Sequence, residues 1–550
     1  MSLGRDVTTV GGATLASRLL GFIRDMGIAA VLGAGVFSDA FFAVLQATNF
    51  FRRLLAEGAL NAAFVPLWLR IGQTQGEAGA RRFFRQVLAA MLLAAGALAA
   101  IGLLFPSAVI DLLAPGFDGD RHAWAAAYLQ IAAPYVVLAG AVAIIAAALN
   151  AERRIGAAAL GVVAFNAVLL LVLATIAAFG LAEPSAVGAL LAHAIVLAGI
   201  AQLVVTGIGL LRLRHSIAFS GGGEKTVRPQ PSEGPARDRF GLSADTRRFF
   251  GRALPGLVAA GIPQLKLIAG AMIASSSPAA VSWLYYANRL YELPLGVASI
   301  AVAAVLMPAI AATAHSAAGA EIAAAQSRGL ELTLGLALPA AAAFAVLAEP
   351  IAAALFERGA FGPGDTAAVA AALAAICAGL PGHTLEKMFG AVSFAHEDTR
   401  TPMLAALAGL ATAVAAALAL FPRYGEVGVA AAIAISGWVG AALLGAILRR
   451  RGWLHLDRDG ARRLPRIILA TMVMAIALLG THQLLAPSFH AGASAARLAM
   501  LVLLVAIGLA VYLASLEALG VVRMRDLLAT VRAARAEPPA DDPRGGSSEP

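Results

Sequence analysis

The chain has 550 residues, 60% of them apolar and 13% charged, with a mean hydropathy of +0.82 and a formal net charge of +9. Apolar runs of about 20 residues recur along its whole length, which excludes a water-soluble globular protein and defines a polytopic membrane protein. The runs are rich in Ala and Leu without strand-like alternation, which argues for helices over a β-barrel. The basic residues gather in short connecting segments, where they set topology and do not signal nucleic-acid binding.

The pattern predicts an all-α protein of about fourteen spans, with approximate limits 9–33, 38–71, 83–113, 121–149, 156–181, 184–212, 247–275, 279–314, 328–356, 365–393, 401–421, 427–448, 465–486 and 494–520. Arg18 interrupts the first run and no small-residue cleavage site follows a clean apolar core. This stretch is therefore expected to stay as the first helix rather than leave as a signal peptide. The connections alternate in charge. Arg70, Arg81, Arg82 and Arg85 flank the second and third spans, Arg153 and Arg154 follow the fourth, and seven arginines from Arg449 to Arg466 separate the twelfth from the thirteenth. The intervening connections, among them Gly33–Phe37, Ala114–Asp120 and Ser275–Pro278, are poor in Lys and Arg. The positive-inside rule then places both termini in the cytoplasm, in agreement with an even span count. Residues 214–245 are rich in Gly, Pro, Ser and charge and read as a cytoplasmic linker. Residues 523–550 read as a cytoplasmic tail, disordered from Glu537. Cys377 stands alone inside an apolar run, so no disulfide within the chain is possible and it reads as a small buried residue.

An internal repeat crosses the linker. FPSAVIDLLAPGF (Phe105–Phe117) resembles AEPIAAALFERGAF (Ala348–Phe361), and FVPLW (Phe64–Trp68) resembles LMPAI (Leu306–Ile310), at an offset near 242–244 residues. Span one thus pairs with span seven, and so on through six and twelve, giving two six-helix lobes at 1–213 and 246–452. Each unit holds an even number of spans, so the repeat is parallel, with its axis along the membrane normal and a cleft between the lobes. The last two spans, within 453–522, lie outside the repeat.

Charges stand near mid-span in three of these helices. A charged side chain there costs about 2.5–3.5 kcal/mol on insertion scales, which is hard to sustain without a wet cavity or a partner. Span one carries Arg18, Arg24 and Asp25; Arg18 and Asp25, seven apart, share a face. Span two carries Asp39 and a polar stripe of Asn49, Arg52, Arg53 and Glu57, and span eight a stripe of Ser282, Tyr285, Arg289 and Glu292. Because span eight is the repeat counterpart of span two, the stripes are expected to face each other across the cleft. These charges can pair among themselves, as Arg18–Asp25, Arg53–Glu57 and Arg289–Glu292, and hold the bundle together. The arginines outnumber the acids, however, and arginine suits bidentate contacts with phosphate or carboxylate. A cationic cleft points to an anionic substrate group and away from organic cations.

Lys266 in span seven either faces the cleft or pairs with Glu386 in span ten, where His383 is a proton relay or a helix–helix hydrogen bond. Gln130, Asn166, His193 and Gln202 read as interhelical contacts. No H-E-x-x-H, G-x-x-x-x-G-K-[ST], G-x-S-x-G or Cys/His cluster occurs. No enzymatic activity, cofactor or metal site is expected, and active transport would draw on the membrane potential, an ion gradient or a partner.

Five stretches carry a more specific signal: SRLLGFIRD (Ser17–Asp25), SDAFF (Ser38–Phe42), NFFRRLLAEGALNAAFVP (Asn49–Pro66), APGF (Ala114–Phe117) and VSWLYYANRLYELPLGV (Val281–Val297). With them the chain resembles the MurJ/MviN family, the lipid II flippases of the MOP exporter superfamily, over essentially its full length. The resemblance implies fourteen helices, two lobes in a V, and a lipid-tail groove along the last two spans. It implies that Arg18, Arg24, Arg52 and Arg289 bind the substrate diphosphate, that Asp25 and Glu57 orient them, and that Asp39 contributes to outward-side closure. Ser17, Asn49, Arg53, Ser282 and Glu292 fall at neighbouring cavity positions, while Lys266, His383 and Glu386 are candidates for coupling. Asn288 stands where relatives can carry Asp, which raises the positive charge near Arg289. The implied substrate is undecaprenyl-diphosphate disaccharide-pentapeptide, moved between leaflets of the cytoplasmic membrane by alternating access. Membrane lipids and the cell-wall synthesis machinery are the implied partners. Another MOP-type flippase of polyprenyl-linked glycans, a membrane prenyl-phosphate enzyme and a scaffold for synthesis enzymes are the competing readings.

Overall fold

The computed structural model describes residues 3–56, 59–219, 243–313, 319–455, 457–491 and 494–522, and these are helical, with no strand among the described residues. The first half holds α1 (Leu3–Leu32), α2 (Val36–Ala56), α3 (Ala59–Leu104), α4 (Pro106–Leu113), α5 (Gly119–Ala132), α6 (Pro134–Ala151), α7 (Ile155–Ala178) and α8 (Pro184–Phe219). The second holds α9 (Ala244–Ala274), α10 (Ala280–Thr313), α11 (Gly319–Val346), α12 (Ala348–Phe356), α13 (Pro363–Cys377), α14 (Leu380–Ala395) and α15 (Arg400–Arg450), followed by α16 (Arg458–Ala491) and α17 (Ser494–Ala518). Among the described residues, nine helices are long and apolar enough to cross a membrane. Glu57, most of the linker and the tail lie outside the described residues.

Several predicted spans are subdivided, for local reasons. Phe105 leaves the helical region before Pro106, because a proline disfavours the α conformation in its predecessor, and α4 begins anew. The chain breaks likewise at Leu347, after which Pro350 sits in the first turn of α12, where a missing N–H costs nothing. Apolar residues continue through both breaks, so periodicity alone merged them. Two expected connections are tight turns, at Gly76 (φ 68°) within the α3 segment and at Gly425 (φ 53°) within the α15 segment, where the backbone leaves the helical conformation and one helix gives way to the next. Only glycine takes that left-handed conformation without strain.

Helices pack mainly within each half. In the first, α1 lies on α7, α2 on α5, α3 on α6 and α7 on α8; in the second, α9 and α14 lie on α15, and α10 on α11 and α13. The terminal pair α16 and α17 pack on each other, with α16 against α11 and α17 against α12. The halves meet where α3 packs on α9, with Phe64 and Phe83 against Phe249, and again at one end, where the short loops poor in basic residues converge. The Ala360 N–H donates to the Ala30 carbonyl at 2.8 Å, and a Cβ on Gly33 or Gly359, both at positive φ, would collide with the opposite backbone. Across the same end the Gly116 N–H donates to Ser275 Oγ at 2.8 Å, and a Cβ on Gly116 would strike the backbone of Ser276. Gly33 and Ser275 are counterparts in the repeat, as are Gly116 and Gly359, so the same contact is made twice about a pseudo-two-fold axis.

Gly359→Ala places a Cβ at positive φ against the Ala30 carbonyl, a strain of about 1–3 kcal/mol. It is expected to open this end. In a Cys377→Ala background, thiol labelling of Ser38→Cys, fully buried as Ser38 is now, should become faster when Gly359→Ala is added.

Candidate functional site

A cavity of about 610 Å³ lies between the halves, walled by α1, α2 and α7 on one side and α9, α10, α14 and α15 on the other. Its lining includes Ser17, Arg18, Arg24, Asn49, Arg52, Arg53, Arg289 and Glu292, with Gln46, Asn166, Gln264, Asn288 and Lys387. All four arginines expected to contact substrate therefore reach it. At about 1.5 Å per residue, Arg18 lies roughly 21 Å from the loop end of α1 and Asp25 roughly 10 Å, so Arg18 sits high in the cavity and Asp25 at its floor.

The floor is a cluster of charges joining the halves. Asp25 is fully buried and Arg24 is 7% exposed. Arg24 Nε and Nη2 donate to Asp25 Oδ1 at 2.9 and 2.6 Å, and Tyr285 Oη donates to the same oxygen at 3.2 Å. Arg289 Nε, from α10, approaches Asp25 Oδ2 at 2.5 Å but outside hydrogen-bond geometry, so this attraction is Coulombic. Arg289 Nη1 also donates to Glu292 Oε2 at 3.3 Å. Glu292 accepts from Arg53 of α2 at 3.0 and 3.3 Å and from Asn288 at 3.4 Å, while Gln264 accepts from Arg53 at 3.4 Å. The stripes of α2 and α10 thus face each other, as expected. Of the expected pairs, Arg289–Glu292 forms, Asp25 takes Arg24 and Arg289 in place of Arg18, and Arg53–Glu57 involves a residue outside those described, while Arg53 also meets Glu292. Arg18 is exposed and has no acidic partner among the described residues; it lies over Gly296, where a Cβ would collide with its guanidinium. Arg52 Nε donates to Asn49 Oδ1 at 3.2 Å.

Beneath the floor an aromatic layer fills the passage. Phe42 stacks on Tyr285 with ring centroids 4.0 Å apart and meets Tyr286 edge-on at 5.1 Å, and Tyr286 packs on Phe356 and Phe361. Asp39 closes the next layer. It is fully buried and accepts from the backbone N–H groups of Ala279 and Ser282 and from Ser282 Oγ, at 2.8, 2.9 and 2.6 Å. A carboxylate of α2 therefore satisfies the open N–H groups of the first turn of α10. Arg121 lies 4.0 Å from Asp39 and donates to the Ser275 carbonyl at 3.1 Å. Asp39 and Ser282 belong to this clasp and do not line the cavity.

Lys266, His383 and Glu386 also sit apart from the cavity wall. Lys266, 7% exposed, points its Nζ at Glu386 Oε2 from 3.9 Å, and His383 Nδ1 lies 2.8 Å from Tyr291 Oη and 3.1 Å from the Gly379 carbonyl. The neighbouring Lys387 does line the cavity, a position that helical spacing from Glu386 alone did not single out. Asn166, expected as an interhelical contact, reaches the cavity too and accepts from Arg24 Nη1 at 3.2 Å.

A buried, charge-lined cavity between the two halves of an all-helical bundle is the architecture of a membrane transporter. The family model for lipid II flippase MurJ matches residues 28–500, and the chain belongs to that family. It is 40% identical to a probable lipid II flippase MurJ of Rhizobium meliloti (strain 1021), over 94% of this chain and 93% of the relative. It is 30% identical to a lipid II flippase MurJ of Burkholderia cenocepacia, over 86% and 89%. In fold it is similar to a solved structure of lipid II flippase MurJ in an inward closed conformation, with a TM-score of 0.73 and 21% identity over 94% of this chain and 99% of that one. An inward-facing multidrug resistance MATE family transporter of the MOP superfamily gives a TM-score of 0.59 at 15% identity, over 79% and 94%.

Removing Arg289 takes one of two cations from buried Asp25 and one from Glu292, a loss smaller than the roughly 3–5 kcal/mol of an uncompensated buried charge because Arg24 and Arg53 remain. Removing exposed Arg18 is expected to cost within about 0.5 kcal/mol. Arg289→Ala should therefore lower the thermal unfolding midpoint in detergent and Arg18→Ala should leave it nearly unchanged. Equal midpoints would contradict this pairing.

Proposed function

We propose that this protein flips lipid II, the undecaprenyl-diphosphate disaccharide-pentapeptide, from the inner to the outer leaflet of the cytoplasmic membrane for cell-wall synthesis. The supporting observation is the cavity itself: arginines from both halves converge on one polar space between them. A diphosphate supplies the anion that Arg18, Arg24, Arg52 and Arg289 would bind. A cavity of 610 Å³ is of the size that encloses a drug-sized ligand, about 300–1,000 Å³. It holds the diphosphate and adjoining sugar, with the peptide projecting from the open side and the prenyl tail in lipid along α16 and α17. The two halves act as lobes that rock about the floor. The protein spans the membrane about fourteen times with both termini in the cytoplasm, as the loop charges favour, and works as a transporter rather than an enzyme. Cell-wall synthesis enzymes are its functional neighbours.

Depleting the protein in its host should lower lipid II exposed on the outer leaflet while total lipid II rises. Unchanged exposure and total would overturn the reading, as would survival of flipping in a quadruple variant lacking Arg18, Arg24, Arg52 and Arg289.

We further propose that the Lys266–Glu386 pair couples the second half to a proton gradient or the membrane potential. Its support is geometric: a buried ammonium and carboxylate too far apart for a hydrogen bond are weakly compensated. The adjacent His383 touches Tyr291, the residue before Glu292 in the cavity wall. Glu386→Gln should keep binding of an anionic substrate and change how flipping responds to an imposed gradient. An unaltered response would leave the pair a structural role only.

A further inference from the structure

Asn166 on α7 stands where three groups of fixed polarity meet. It is 5% exposed. Its Oδ1 accepts from Arg24 Nη1 at 3.2 Å, and its Nδ2 donates to the carbonyls of Ser17 at 3.3 Å and Val162 at 3.2 Å. A guanidinium only donates and a carbonyl only accepts, so the amide is held in one orientation. An aspartate would meet Arg24 equally well but would turn a charged oxygen toward two carbonyls. An apolar side chain would meet none of the three.

The choice of a neutral acceptor matters for charge. Asp25 is the one carboxylate contacting Arg24 among the described residues, and it is shared with Arg289. Arg289 also pairs with Glu292, which accepts from Arg53, so three guanidinium groups on two carboxylates leave the cavity floor with a surplus positive charge. A further carboxylate at 166 would hold Arg24 in place and remove that surplus. We propose that Asn166 sets the anion preference of the cavity: it meets Arg24 with a neutral acceptor where a carboxylate would also fit, and so keeps the floor net positive. This rests on the reading of the cavity as a diphosphate site and deepens it, assigning part of the specificity to a residue that carries no charge.

A packing role and a charge-setting role predict opposite orders of effect. If Asn166 only packs, N166D, nearly isosteric, is mild and N166A is severe. If it sets charge, N166D is severe and N166A, whose lost bonds cavity water replaces, is mild. The test uses the full chain in lipid nanodiscs, with geranylgeranyl diphosphate as probe and geranylgeraniol as the uncharged control. N166D is expected to weaken diphosphate binding about tenfold, equivalent to ~1.4 kcal/mol, with N166A affected less and geranylgeraniol binding unmoved. The double variant N166D/D25N carries the same side chain at 166 with the cluster charge restored. It should regain most of the affinity, and it decides the matter if N166D alone shows no cooperative melting. N166A as weak as N166D, N166D binding like the unaltered protein, or no recovery in the double variant would each overturn the proposal. If the unaltered protein binds the diphosphate no better than the alcohol, the diphosphate reading itself fails and this inference with it, a result separable from any ordering among variants.

Discussion

A carboxylate with no access to water sits between two arginines at the junction of the two halves. Asp25 belongs to α1, Arg24 beside it to the same helix, and Arg289 to α10 across the cavity. A lone buried charge is costly, and its attraction to partners repays that cost only at good geometry. The two halves must therefore stay in register at this point, or Asp25 must find another cation. The cluster thus serves as a structural joint between the halves.

Around this charge the molecule is layered. The open cavity lies on one side, and the aromatic layer of Phe42, Tyr285 and Tyr286 on the other. Past that layer Asp39 clasps the first turn of α10. The glycine contacts of the loops lie alongside, where the backbones approach too closely for any side chain. The loop contacts obey the repeat, but the charged residues do not. Lys266 occupies the position in α9 that corresponds to Arg24 in α1, yet it points into the second half toward Glu386 while Arg24 lines the cavity. The two halves therefore differ in where their buried charges point.

Much of this was legible before any coordinates. The helical class and the mid-span charges follow from hydropathy, because each is a local property of the chain in lipid. Arg18, Arg24, Arg52 and Arg289 stood out because a charge in an apolar run demands a cavity or a partner. Missed were Gln46, Gln264 and Lys387 as lining residues, and the cavity face of Asn166. Uncharged amides carry no such demand, and Lys387 follows Glu386 closely enough to read as part of the same helical contact.

By itself the sequence determined the all-helical membrane class and the excess of arginine at mid-span, since composition and periodicity fix how a chain meets a bilayer. Only the tertiary structure decided which charge pairs with which. Seven-residue spacing put Asp25 on the face of Arg18, but the approach of α10 gave it to Arg289 and left Arg18 to the cavity. Pairing depends on distances between helices far apart in sequence, and no spacing along one helix records how another is turned toward it.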